Sequence, residues 1–278
     1  MAGRLIHIRN EVKVLDRYLL KNIIILILAL VNICLLGSLA MRQSSATDAR
    51  RQTEAQLTEL FAADGMTLEK DAFSSKTPPA PLTLTRSTQL EREMAVFFLG
   101  RNVRQEDQGG GTYTYTGDSG VARFRAGGTF EIAGSLSSGD VEAFCRKFCQ
   151  TFSYEPVELN STGSGTGTTV ASYLDLPVFN ASVTFTVDQG TLLTVSGTLL
   201  SEDGAAVSGE QELLSAAAAL TAFQSARRES GAVVSAVTET ALCYELQSSS
   251  LSLTPAWRVA TDTRDYYVNC VTGTVTAG

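Results

Sequence analysis

The apolar positions of the chain follow three rhythms. The first is unbroken: the 19 positions from Ile23 to Met41 hold no charge and are nearly all apolar. A helix rises about 1.5 Å per residue and a bilayer core is about 30 Å thick, so roughly 20 apolar residues span it. The segment meets that length, and a helix would satisfy its backbone groups internally, as lipid requires. The second rhythm is helical. Ala46, Ala49, Thr53, Leu57, Leu60 and Phe61 predict a helix over 44–63, stopped by Gly65. The capping-box pair Thr88 and Glu91 predicts a helix over 89–99, closed by Gly100. Val141, Phe144, Cys145, Phe148 and Cys149 stripe a helix over 139–152. Ser208 with Gln211 predicts a further helix running to Arg228, with Gly231 beyond its end.

The third rhythm has period two. Alternating runs bounded by Gly, Asn and Asp predict strands at 66–70, 82–85, 112–116, 121–125 and 129–133. More follow at 154–159, 168–174, 178–187 and 191–200, and then at 232–237, 240–247, 255–262, 266–271 and 274–276. Gly117-Asp-Ser-Gly120 and Asp188-Gln-Gly190 are turn signals, 105–111 reads as a polar Gly-rich loop, and Thr77-Pro-Pro-Ala-Pro81 breaks regular structure. The expected fold class is α+β: a single N-terminal transmembrane helix followed by helix-plus-antiparallel-sheet units. The order is a head (1–22), the membrane helix (23–41), a juxtamembrane helix and linker (42–81), and three units at 82–136, 137–205 and 206–278. A helix would cover one face of each sheet, and the other face would be wetter or would meet a neighbour.

Charge sets the expected sidedness. The first 22 residues carry five basic and two acidic side chains, +3, so the rest of the −7 chain carries −10. Basic residues beside a membrane segment stay in the cytoplasm, which places the head inside and the acidic body outside the cytoplasmic membrane. The competing reading is a cleaved signal peptide, with Ser38-Leu39-Ala40 as a small-x-small site and cleavage after Ala40. The apolar run and the head are both long for that. Val31-Asn32-Ile33 before Cys34 is not a lipid-attachment pattern. The acidic balance argues against nucleic acid, whose phosphates need a basic face.

Five cysteines are present. Cys34 falls in the apolar run. Cys145, Cys149, Cys243 and Cys270 would allow two disulfides in three connectivities, or would be buried small hydrophobes. A zinc site is disfavoured, because a CxxxC on a helix is not a knuckle and the only histidine, His7, is in the head. For the same reason Ser/His/Asp and Cys/His catalysis is excluded beyond the apolar run. No carboxylate pair has a recognisable setting, and Glu142, Glu155 and Glu158 read as solvated. The 161–167 run lacks the Lys-Ser/Thr ending of a phosphate loop. The expectation is therefore a non-enzyme without metal or cofactor.

Contact residues stand out more than chemical ones. Asn32 is a polar amide inside the apolar run, where a hydrogen-bonding partner helix gains about 0.6 kcal/mol on average. Cys34 and Ser38 are spaced small-xxx-small, and Gly37 adds another small residue, so Asn32, Cys34, Gly37 and Ser38 are the candidate transmembrane contact. The only tryptophan, Trp257, alternates with Val259 and reads as core. Tyr266 and Tyr267 are adjacent, so in a strand one faces the core and the other is a candidate interface residue. Arg227 and Arg228 read as charges suited to a helix C-terminus.

Two stretches resemble a known family. The basic head, Lys21-Asn22-Ile-Ile-Ile, Asn32-Ile-Cys-Leu-Leu36 and Phe61-Ala-Ala-Asp-Gly-Met-Thr-Leu68 are similar to the YycI group of Firmicutes. Leu253-Thr-Pro-Ala-Trp257-Arg-Val, Asp265-Tyr-Tyr-Val-Asn269 and Thr272-Gly-Thr-Val275 resemble both that group and PepSY-like domains. The specific residues cover about 40 positions. The head is longer than the group's pattern, and the middle of the chain carries no matching motif. The resemblance implies a single-pass extracytoplasmic regulator that associates with a YycH-like membrane protein and the sensor histidine kinase WalK, and so tunes cell-wall metabolism. A PepSY-like tethered protease inhibitor or chaperone-like binding module is the alternative.

Overall fold

The computed structural model describes residues 28, 31, 32, 48–159, 163–201, 204–207 and 211–278. The chain divides into two compact units, Met1–Gln56 and Leu57–Gly278. In the first, Leu28, Val31 and Asn32 are helical and exposed. Residues 48–56 are helical there, and Arg50 pairs with Glu54 one turn on; residues 57–63, helical too, belong to the second unit and are called α1. Among the described residues no helix is long and apolar enough to cross a membrane. The expected span, 23–41, lies outside the described residues apart from Leu28, Val31 and Asn32.

The second unit is a mixed α+β fold. Its helices are α2 (Thr88–Leu99), α3 (Val141–Thr151) and α4 (Ala216–Ser230), and a 3-10 turn lies at Lys70–Ala72. The early strands are β1 (Thr67–Leu68), β2 (Leu82–Leu84), β3 (Arg104–Asp107), β4 (Tyr113–Gly117), β5 (Gly120–Phe124) and β6 (Thr129–Ser138). The middle strands are β7 (Gly165–Tyr173), β8 (Leu176–Asp188), β9 (Thr191–Thr198) and β10 (Gly204–Ala206). The last are β11 (Ala236–Gln247), β12 (Ser252–Thr261), β13 (Asp265–Asn269) and β14 (Val275–Ala277). All belong to one sheet, with the path β10-β2-β12-β11-β8-β9-β6-β5-β4-β3. Strand β7 adds to β8, β13 and β14 continue beyond β12, and β1 runs parallel to the start of β11.

Period-two alternation explains which face is wet. One cross-strand row reads Glu106, Thr114, Arg123, Glu131, Ser196, Thr184 and Thr168 from β3 to β7. The neighbouring row on the opposite face holds Tyr115, Ala122, Ile132, Val195, Phe185 and Gly167. Tyr115, Ala122, Ile132, Val195 and Phe185 are fully buried. Side chains of successive residues point to opposite faces, so the hydroxyl-rich row meets water and the apolar row meets the helices. Gly120 and Gly134 face each other across β5 and β6, where a Cβ on either would come within about 2 Å of backbone oxygen.

Local chemistry shifts several expected boundaries. Helix α2 is capped by Ser87, whose hydroxyl accepts from Leu90 N, and not by Thr88. The reason is Glu91: its carboxylate is buried and taken by Arg86, so it does not reach back to complete a capping box. Helix α4 begins after Ser215, which caps Ala218 N, and not at Ser208 with Gln211. The strand expected over 154–159 reduces to a bridge between Tyr154 and Ala171, because Pro156 has no N–H to continue the ladder. The strands expected at 232–237 and 240–247 form one strand, β11, with a bulge between Val237 and Glu239. The stretch read as a polar loop, 105–111, begins instead inside a strand: Arg104–Asp107 pairs with β4 as β3.

Two cores lie under the helices. The first gathers α2, α3 and strands β4–β9 around Phe98, Phe124, Phe130, Phe148 and Phe185. The second gathers α1, α4 and strands β11–β13 around Phe61, Phe223, Trp257 and Val259. The helix-and-sheet units at 82–136 and 137–205 thus share one core, and 206–278 builds the other together with α1. Strand β11 serves both from one face: Leu242 belongs to the second core, Tyr244 and Leu246 to the first.

Among the described residues the two halves meet where β2 pairs with β12, and again between β7–β8 and β11–β13. Val178 of β8 bridges Tyr244 of β11. The Asn180 amide donates to Leu246 O at 2.9 Å and accepts from Leu246 N at 2.8 Å, so a side chain continues the ladder. Phe179 stacks on Tyr267 with centroids 3.8 Å apart and planes 7° apart. Tyr173 meets Tyr244 edge-on at 6.2 Å.

Candidate functional site

An apolar-floored groove opens where α2, the end of α3 and the β7–β8 hairpin meet. Helix α2 has two stripes. Met94, Ala95, Phe98 and Leu99 face the sheet, while Gln89, Leu90, Glu93, Val96 and Phe97 line a hollow of about 510 Å³. Phe97 is held by ring contacts to Phe98, Phe144, Phe148 and Phe152, at 4.9–6.0 Å. A second hollow of about 310 Å³ is walled by Ser153, Ala171, Ser172, Tyr173, Leu174 and Leu200. The two hollows share Leu90, Phe152 and Ser201. A groove with an apolar floor and a rim of hydroxyls and amides is the usual shape of a binding site.

Its rim carries backbone strain. Ser153 has φ 58°, and the two-residue β7–β8 turn, Leu174-Asp175, has φ 49° and 61°. Such turns favour Asn-Gly, because both central residues must enter the left-handed region. A bulky residue there costs about 1–2 kcal/mol. Leu174 carries that cost and is also 71% exposed. Neither core packing nor solvation explains a leucine at this position.

Charge is sparse in the groove. Among the described residues Glu93 is the only charged side chain lining the two hollows, and Asp175 follows Leu174 in the β7–β8 turn. Both are exposed, and among the described residues neither joins an ion pair, although Gln89 donates to Glu93 at 3.0 Å. A third, tighter hollow beneath Leu90 touches Arg86. That guanidinium is already used: it binds Glu91 and Gly111 O and lies 4.9 Å over the Tyr113 ring.

The residues singled out from sequence fall elsewhere. Asn32 is helical and exposed, while Cys34, Gly37 and Ser38 lie outside the described residues. Tyr266 is buried against Phe223 in the second core, with centroids 4.9 Å apart. Tyr267 is on the opposite, wetter face, half-buried under Phe179. That face also carries Arg258 between Glu239 and Asp265, and Asn269 donating to Glu245 at 2.7 Å. Trp257 is fully buried, and its indole N–H donates to Leu214 O at 2.8 Å.

The four described cysteines are buried free thiols. Burial pushes Cys145, Cys243 and Cys270 up to about 12 and Cys149 to about 11. At neutral pH they are protonated, and they serve as small hydrophobes. Among the described residues no group of three or more His, Cys, Asp or Glu is placed to hold a metal ion.

A cluster that sequence reading missed ties α1 to α4. Asp64 accepts from Gln224 Nε2, from Arg227 Nη2 at 3.0 Å and from Arg228 Nε at 2.6 Å. The Arg228 hydrogen bond, with that of Arg227, holds its carboxyl below the ordinary value of 3.8. Arg227 and Arg228 therefore pin two helices together as well as ending their own.

The fold and groove define the class: an α+β module with one sheet face covered by helices and a surface cleft at the helix–hairpin seam. No protein-family model and no curated protein matches the chain. It is similar to a solved structure, an uncharacterized protein from Eubacterium rectale, at 10% identity and a TM-score of 0.41, over 76% of this chain and 85% of that one.

Proposed function

We propose that the chain is a membrane-anchored extracytoplasmic regulatory protein of a two-component sensor histidine kinase, acting by protein–protein contacts and not by catalysis. The observation that carries this is the order of charge and hydropathy: a +3 head, 19 apolar positions with Asn32 among them, and a −10 body without histidine. The YycI-like residues name the partners, a sensor histidine kinase and a YycH-like membrane protein at the cytoplasmic membrane. Asn32, Cys34, Gly37 and Ser38 are the membrane contacts in this reading, and Tyr267 is the contact outside it. The test replaces 23–41 with an unrelated anchor of equal length. Loss of kinase regulation and of partner crosslinks at position 32 is the expected result. Retention of both sinks the membrane contact, and a periplasmic or surface reporter that is silent when fused to the C-terminus sinks the sidedness.

The groove favours a second reading, a PepSY-like tethered protease inhibitor or chaperone-like binding module. A photo-crosslinker at Leu174 that captured a secreted or membrane peptidase and no kinase would select it.

A further inference from the structure

We infer that the groove between α2, the end of α3 and the β7–β8 hairpin docks a cationic, leucine-bearing peptide segment of a protein partner. Three features lead there. The floor is apolar: Leu90, Val96, Phe97, Phe152 and Leu200. Next, Leu174 is held 71% exposed in a left-handed turn at the groove's edge. Strain kept at a surface residue is a mark of function when the outlier itself is observed, and an exposed leucine beside an apolar hollow is an anchor awaiting cover. Third, the charge is one-signed. Glu93 lines the first hollow, Asp175 follows Leu174 of the second, and among the described residues the lining of the two large hollows has no Lys or Arg.

Charge decides among occupants. A membrane surface is anionic and would be repelled by this rim and by a body of −10. A second copy related by a two-fold axis would bring the same acidic rim against itself. A peptide with leucine-sized side chains flanked by Lys or Arg satisfies floor and rim together. The stripe from Gln89 to Phe97 is about 12 Å long, which matches about four residues of extended chain.

This inference rests on reading the body as an interaction module and adds the chemistry of what it holds. Its test is separate from the anchor replacement. Full-length protein in detergent is titrated against fluorescent peptides about fifteen residues long, in which net charge and leucine content vary independently. Saturable binding that needs both positive charge and leucine is expected. Glu93→Lys with Asp175→Lys should weaken it about tenfold or more and shift preference to acidic leucine-bearing peptides. Leu174→Asn should weaken it similarly while the thermal midpoint holds or rises, which excludes misfolding as the cause. The inference is overturned if no peptide saturates, if binding follows charge without regard to leucine or Leu174, if anionic vesicles compete as well as peptide does, or if sedimentation shows a dimer that the charge reversals dissociate.

Discussion

The two cores of the second unit close their helices with opposite chemistry. In the first, α2 meets α3 through rings: Phe97 and Phe98 against Phe144, Phe148 and Phe152, with centroids 4.9–6.0 Å apart. In the second, α1 meets α4 through Phe61 on Phe223 and then through one carboxylate, Asp64, shared by Gln224, Arg227 and Arg228. Apolar burial is non-directional, so the seam can end in a hollow over Phe152 without leaving a polar group unpaired. A charge lock is directional and pulls the helix ends together. The groove and the strained Leu174 turn sit on the first core, and the lock sits on the second. The difference separates a surface kept open for a partner from one closed on itself.

The strongest way to break this comparison is to remove its centre. Phe148 is fully buried and touches Phe97, Phe98, Phe152, Tyr154 and Phe185. Phe148→Ala should cost about 3–5 kcal/mol, read as a lowered denaturant midpoint at unchanged slope. Because β11 contributes to both cores, tyrosine fluorescence and the Trp257 signal should report one transition. Two separated transitions would show that the halves are independent and that the shared strand couples nothing.

Next comes the seam between the halves. Asn180→Ala strips Leu246 of both ladder partners and should cost about 1–2 kcal/mol, since a backbone N–H is left unpaired. Hydrogen exchange at Leu246 should rise before exchange elsewhere in β11. If it does not, the carboxamide is incidental to the joint.

The third test acts in the opposite direction. Leu174→Asn with Asp175→Gly gives the β7–β8 turn the residues its backbone prefers and should stabilise the protein by about 1 kcal/mol. A gain in midpoint together with lost peptide binding would mean that stability is sacrificed at the groove. A loss of midpoint would mean that Leu174 packs usefully, and the rim would not be strained for function.

What could be read in advance divides along similar lines. The stripes of α2 and α3 were legible because apolar residues recur at helical spacing, and most strands because one face of the sheet is wet. Strand β3 was not legible: Arg104, Gln105, Glu106 and Asp107 are all exposed, and only pairing with β4 makes them a strand. The capping pair Thr88 and Glu91 misled because Arg86 outcompetes the helix end for the buried carboxylate. The Leu174-Asp175 turn carries neither Gly nor Asn, so no local signal marked it. The groove is assembled from 87–97, 151–153, 171–174 and 200–201, which only the fold brings together. Asp64 and Arg228 lie 164 positions apart. Arg228 read as an ordinary helix-end charge, and nothing local marked Asp64 as its partner. The expected membrane contact residues Cys34, Gly37 and Ser38 lie outside the described residues.

The smallest effect expected is electrostatic, and it sharpens the contrast by pH. Asp64 has a depressed carboxyl because Arg228, and then Arg227, favours its charged form. A group whose folded value lies below its unfolded one binds fewer protons when folded, so it stabilises the fold above the unfolded value. That contribution fades as pH falls from the ordinary 3.8 through the lower folded value. Asp262 behaves alike, held down by the Ser235 and Ala236 amides, and it too belongs to the second half, at the entry to β11. Asp64→Asn should therefore lower stability modestly at neutral pH and match the parent below the folded value. Hydrogen exchange should localise the acid-sensitive opening to the end of α1 and the last turn of α4. Protection lost first around Phe97 and Phe148 would reverse the assignment, making the ring-packed seam the acid-labile one and leaving the charge lock without a role.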